Sequence, residues 1–160
     1  MPFYSIIKKE IYRFGSIWVQ TLVGPLTTAL LYQLIFGNHF SNVATGISGV
    51  SYSMFLIPGL IIMQVLLNSF GNGSSSLIQS KYSGNIIFIL MAPVSQFSMY
   101  MAYLIASIIR GVLVGGAVLL GIIWFAVPEF SHIWAIFYFA ILGATITGGL
   151  GLIAGILCEK

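Results

Sequence analysis

The chain has 160 residues, of which 59% are hydrophobic and only 6% charged. Six basic and three acidic side chains cannot solvate a particle of this length, because an average globular chain is about one-quarter charged. That excludes a soluble enzyme, a disordered region and, despite the net charge of +3, a nucleic-acid binder; the lone cysteine, Cys158, excludes a disulfide scaffold. With a mean hydropathy of +1.05, the chain reads as an integral membrane protein.

Along the first sixteen residues, Phe3, Ile7, Ile11, Phe14 and Trp18 recur at spacings of three and four. Lys8, Lys9, Glu10 and Arg13 occupy the remaining faces. This pattern predicts an amphipathic helix lying in the inner membrane interface, its cations near anionic headgroups; a solvated extension of the first span is the alternative. Apolar stretches follow at Ile17–Gly37, Met54–Phe70, Met99–Val127 and Ile133–Leu157. A helix needs about 20 apolar residues to cross a hydrocarbon core about 30 Å thick, and each stretch meets or nearly meets that length. None alternates apolar with polar as a barrel strand would, so the expected fold is an all-α polytopic bundle of about four transmembrane helices. The first stretch is too long for a signal peptide and has no small-residue cleavage site after it. Pro25 lies inside the first span and Pro58 near the start of the second, where each permits a kink.

Between the second and third spans, Gly71, Asn72, Gly73 and Ser74–Ser76 read as a flexible helix end. Lys81 follows, and then the short apolar run Ile86–Ala92, closed by Pro93. Seven residues give about 10 Å of helix, too little to cross the core, so the run must lie in the interface, re-enter or dock on another protein. Pro93 disfavours helical geometry at Ala92 and separates this element from the third span.

The cations set the orientation. Lys8, Lys9 and Arg13 precede the first span, Lys81 lies between the second and third, and Lys160 follows the fourth. The two opposite loops, 38–53 and 128–132, carry no Lys or Arg. Both termini and the loop 71–98 are therefore expected in the cytoplasm. Arg110 lies within the third stretch, seventeen residues from Val127, or about 26 Å. Its favoured reading is an inner-boundary cation that snorkels to the headgroups; the alternative is a buried cation facing a partner helix or cavity.

Two ladders of small residues run at four-residue spacing: Ser107, Gly111, Gly115, and Gly143, Thr147, Gly151, Gly155. Both are read as faces where helices of this chain approach closely. No phosphate-binding loop and no catalytic constellation is legible. His39 and His132 stand without cysteine or carboxylate at ligand spacing and read as loop residues, and Glu129 near His132 is weak support for acid–base chemistry, so no metal site is expected.

An ordered set of short matches then resembles the ABC-2 type transporter permeases. It comprises Ile7-Lys8-Lys9-Glu10 with Arg13-Phe14, Gln20-Thr21 with Pro25, Tyr32 with Phe36-Gly37, and Tyr52, Phe55, Pro58-Gly59-Leu60-Ile61 and Met63. It continues through Phe70, Asn72, Ser74-Ser75-Ser76, Lys81, Gly84, Leu90, Ala92-Pro93-Val94-Ser95 and Arg110-Gly111, in family order over essentially the whole chain. The resemblance implies a permease subunit in the bacterial inner membrane, two copies of which pair with two separate ATPase subunits. This chain would bind no cofactor, since ATP and Mg belong to the ATPase. It also implies a coupling helix at about 84–93, with Gly84, Ile87, Leu90 and Pro93 docking to the ATPase, flanked by an interface helix bearing Lys9, Glu10 and Arg13. ATP-driven closure of the ATPase pair would then drive export of a lipid, glycan or drug-like substrate.

Two departures stand out. The coupling segment lacks the acidic residues common in the family, leaving apolar contact to hold it. The family usually has six spans, so residues 1–160 are expected to form a single, partial permease domain without its last two helices. The rival readings are a four-helix membrane enzyme, for which Arg110 is the one candidate group, and a small channel or carrier lined by Gln20, Thr21, Thr27, Thr28, Gln33, Gln64 and Asn68.

Overall fold

The computed structural model describes residues 2–39, 52–123 and 133–158. Among these residues it is all-helical and contains no strand. The elements are α1 (Pro2–Ser16), α2 (Trp18–His39), α3 (Tyr52–Tyr82), α4 (Ile86–Met91), α5 (Gln96–Ile123) and α6 (Ile133–Leu157). Four of them are long and apolar enough to cross a membrane, over Trp18–Gly37, Met54–Tyr82, Gln96–Ile123 and Trp134–Leu157. The chain is a multi-pass membrane bundle. Large apolar side chains cover its outside, among them Leu31, Leu34, Ile35, Leu113, Leu120, Tyr138, Ile146 and Leu150. Lipid accepts such a surface at no cost, whereas water would not.

The second span is the main correction. It does not stop at Phe70: α3 runs unbroken through Gly71, Asn72, Gly73 and Ser74–Ser76 to Tyr82. Two physical reasons explain why this polar, glycine-rich stretch stays helical. Its hydroxyls return to the helix's own carbonyls, Ser74 Oγ to Phe70 O at 3.0 Å, Ser80 Oγ to Ser76 O at 2.9 Å and Ser83 Oγ to Gln79 O at 2.9 Å. One of its two glycines is a packing residue, since a Cβ on Gly73 would stand 2.7 Å from Gly148 O and 3.1 Å from Leu152 N of α6. A bare backbone is what allows α3 and α6 to approach there. At 31 residues α3 is about 46 Å long, so it outreaches the hydrocarbon core.

α3 is the central helix, packed along α6, α5 and α2. Two apolar clusters mark the halves of the bundle. Ala29, Ile57, Ile61, Val114, Val118 and Ile122 join α2, α3 and α5 in one half. Leu77, Tyr103, Leu104 and Leu152 join α3, α5 and α6 in the other, where Ile6 of α1 packs against them. The expected glycine ladders lie at these contacts. A Cβ on Gly111 would strike Ser69 Oγ and come within 2.9 Å of Val65 O, and one on Gly115 would strike Val65 Cγ2. On α6, a Cβ on Gly151 would strike Phe70 O, and one on Gly155 would lie 3.0 Å from Ser74 O. Helices α2 and α3 run through Pro25 and Pro58 without interruption.

The other spans agree with the sequence to within a few residues. The third begins at Gln96 rather than Met99, and the first at Trp18 rather than Ile17. Glu129, His132 and residues 40–51 of the predicted loops lie outside the described residues, whereas His39, read as a loop residue, is the last residue of α2, because the first span's helix continues two residues past Gly37.

Candidate functional site at the α1–α4 end of the bundle

The chain leaves α3 through a sharp turn. Gly84 has φ 73°, a left-handed conformation that glycine adopts without a Cβ penalty, and its amide donates to Lys81 O at 3.2 Å. α4 begins two residues later and ends at Met91. Ala92 is extended with ψ 141°, as the residue before Pro93 should be. None of the six residues of α4 is buried. Ile87 is 59% exposed, Phe88 74%, Leu90 67% and Met91 77%. Pro93, also exposed, closes the segment. Between α4 and the bundle lies an apolar cavity of about 370 Å³, walled by Leu77, Ile86, Ile89, Met99, Tyr100 and Leu152.

Lys81 is tied to the end of α6. Its Nζ donates to Ile156 O at 2.6 Å and Cys158 O at 2.8 Å, closing the C-terminus of α6 with a cation where the helix carries its negative pole. These bonds bring the last turn of α3 beside the last turn of α6, at the end where α4 and α1 also lie.

α1 is helical as the sequence predicts, but its faces are assigned differently. Glu10 is 0% exposed and Arg13 lies mostly covered, against their expected place on the polar face, while Phe3 and Ile11 of the apolar stripe stay open, as a side turned to lipid would. The physical reason is pairing. Glu10 accepts from Arg13 Nε at 2.9 Å and lies 3.6 Å from Lys9 Nζ, so the carboxylate is buried with a counter-charge. Lys9 itself remains nearly half-exposed. Arg13 then bridges to α3: Nη1 donates to Ser75 Oγ and Gln79 Oε1, each at 3.4 Å, and Nη2 to Asn72 Oδ1 at 2.8 Å and Asn72 O at 3.5 Å.

Asn72 is the hub of this end. It is 1% exposed and ties three helices together. Its Oδ1 accepts from Arg13 of α1 and, at 3.3 Å, from Nη1 of Arg110 on α5. Its Nδ2 donates to Ser107 Oγ at 3.3 Å, Ser107 Oγ donates back to Tyr103 O at 2.9 Å, and Ser69 Oγ donates to Ser107 O at 3.2 Å. Arg110 therefore faces a partner helix, the less favoured of the two readings of this residue. It lies fourteen residues after Gln96, or about 21 Å along α5, and is half-buried. The two guanidinium groups share one neutral oxygen, and like charges so placed repel.

The structure thus brings Glu10, Arg13 and Arg110 into one polar cluster and holds Gly84, Ile87, Leu90 and Pro93 apart from it on the outer surface. Gly111, Gly115, Gly151 and Gly155 lie at the helix contacts that fix the spacing of both. Sequence reasoning missed Asn72 and Ser107 as members. The signal was present: Gln64, Asn68, Asn72, Ser76 and Ser80 recur at every fourth position, one face of a single continuous helix. Among the described residues there is no group of histidine, cysteine, aspartate and glutamate that could hold a metal ion.

Comparison with known proteins adds to this geometry. The chain is 40% identical over 153 residues to the inner membrane transport permease YadH of Escherichia coli strain K12. Proteins of the same name in Escherichia coli O157:H7 and Shigella flexneri match at the same identity. Each alignment covers 96% of this chain but 58% of the relative, so the chain spans less than two-thirds of the length of the curated relatives it matches. No solved structure matches it. The family model for the ABC-2 type transporter matches residues 1–160 throughout. With four candidate spans among the described residues and a family match over residues 1–160, the chain belongs to the ABC-2 type transporter family.

Proposed function

We propose that the chain is membrane-spanning permease of an ATP-binding-cassette exporter, working with a separate ATPase subunit in the bacterial inner membrane. The observation that carries this reading is α4. A six-residue helix that buries none of its side chains and exposes Ile87, Phe88, Leu90 and Met91 has an apolar surface in want of a partner. Its docking rests on apolar contact, because residues 84–93 hold no acid to pair with a basic groove. α1 flanks it as the interface helix, exposing Lys8 and Lys9.

Lys8, Lys9, Arg13 and Lys81 all belong to this end of the bundle, and the excess of cations supports a cytoplasmic placement for it, with the N-terminus inside. ATP and Mg are bound by the partner, and closure of two ATPase subunits moves α4 and α1 of two permease copies. The motion is transmitted into the spans at Asn72 by way of Arg13. The exported substrate is a lipid, glycan or drug-like amphiphile.

Co-purification of an ATPase subunit from the native host tests the reading. The Ile87→Asp/Leu90→Asp double variant should lose the ATPase while keeping its own melting temperature, since neither side chain is buried. Retained ATPase with that variant would overturn the docking role of α4.

A further inference from the structure

Arg13 and Arg110 reach the same acceptor but are not equally served. Every nitrogen of the Arg13 guanidinium has an acceptor, and Glu10 balances its charge at 2.9 Å. Arg110 makes one hydrogen bond, at 3.3 Å, to an oxygen already taken by Arg13 at 2.8 Å. Its Nε is buried and has no acceptor. Among the described residues Glu10 is the sole carboxylate, and Arg13 and Lys9 engage it. The other groups of the cluster, Asn72, Ser75, Gln79 and Ser107, are neutral. The cluster therefore carries two guanidiniums against one carboxylate, and the unbalanced charge is that of Arg110.

A guanidinium stays charged and offers five donors and no acceptor, in a planar fork that matches an oxyanion bidentately. Held half-buried on an apolar helix, such a group gains most from an anion that supplies both the charge and the missing acceptors. Arg110 sits where α1 meets α3 and α5, about 21 Å from the start of a helix about 42 Å long. Arg110 is half-buried rather than fully enclosed, so it is not sealed from an incoming phosphate. We propose that Arg110 is a phosphate-binding residue, taking the phosphodiester of an anionic membrane amphiphile. The site is independent of ATPase docking and stands or falls without it.

The full chain in detergent, titrated with phosphatidylglycerol, phosphatidylcholine or inorganic phosphate, provides the test, read by lipid adducts in native mass spectrometry and by melting temperature. Phosphatidylglycerol should bind and raise the melting temperature, with phosphatidylcholine weaker. Arg110→Gln should weaken phosphatidylglycerol binding about tenfold, and Arg110→Lys, which keeps the charge but not the fork, about threefold. Without lipid, Arg110→Gln should melt no lower than the parent, because only one long hydrogen bond is lost; this keeps the binding comparison meaningful. Inorganic phosphate that stabilises the parent but not Arg110→Gln would support the same site and assign its phosphate to solution. Phosphatidylglycerol binding that is equal in the parent and both Arg110 variants would overturn the proposal.

Discussion

Asn72 shows how much a single uncharged side chain can organise in a membrane bundle. Its amide oxygen accepts from Arg13 and Arg110, and its amide nitrogen donates to Ser107, so one residue joins α1, α3 and α5. The arrangement depends on Glu10, which is fully buried and holds Arg13 by its Nε. Breaking a buried pair from one side costs about 3–5 kcal/mol, because the remaining charge keeps its desolvation penalty. Arg13 retains 18% of its side-chain exposure, so Glu10→Gln should cost less, roughly 2–3 kcal/mol. The expected outcome is a clearly lowered melting temperature in detergent for Glu10→Gln, partly recovered in Glu10→Gln/Arg13→Gln. A Glu10→Gln protein that melts with the parent would show that the pair does not hold α1 to the bundle.

Among the elements, α3 is the one on which the others are assembled. Its small and polar positions meet α6 at Gly73, α5 at Ser69 and α1 at Asn72, Ser75 and Gln79. Close approach of α3 and α6 depends on the absence of a side chain at Gly151, where a Cβ would lie 3.0 Å from Phe70 C and closer still to its carbonyl oxygen. Those atoms are backbone and cannot rotate away. Gly151→Ala should therefore destabilise the bundle by about 1–3 kcal/mol, the usual cost of overpacking. Gly116 on α5 is the matched control, since a Cβ there meets nothing within 4 Å. Gly116→Ala should stabilise by up to about 1 kcal/mol through helix propensity alone. Thermal unfolding of the two variants in the same detergent gives opposite signs if the α3–α6 contact sets the spacing, and the same sign if it does not.

For the molecule as a whole, the cations mark one end. Lys81 closes α6 there and Arg13 joins α3, so the proposed cytoplasmic face contains the exposed Cys158. A membrane-impermeant maleimide should label Cys158 in inverted inner-membrane vesicles and leave it unlabelled in intact spheroplasts; the reverse pattern would turn the topology over. The membrane class, the all-helical fold, the four spans, the separate α4 and the family resemblance were all legible in the sequence, because each follows from local composition or from fixed chain geometry. Hydrocarbon thickness requires about 20 apolar residues, and Pro93 biases Ala92 to the extended conformation that ends α4. The inward face of α1, the continuation of α3 beyond Phe70 and the position of Arg110 beside Asn72 were decided only by the tertiary structure. Glycines and serines following Phe70 mark a helix end if solvent surrounds them and a helix crossing if another backbone does, and the residues themselves are the same in both cases. Likewise, Glu10 and Arg13 belong on a wet surface until they pair with each other and Asn72, Ser75 and Gln79 of α3 supply acceptors for the rest of the guanidinium.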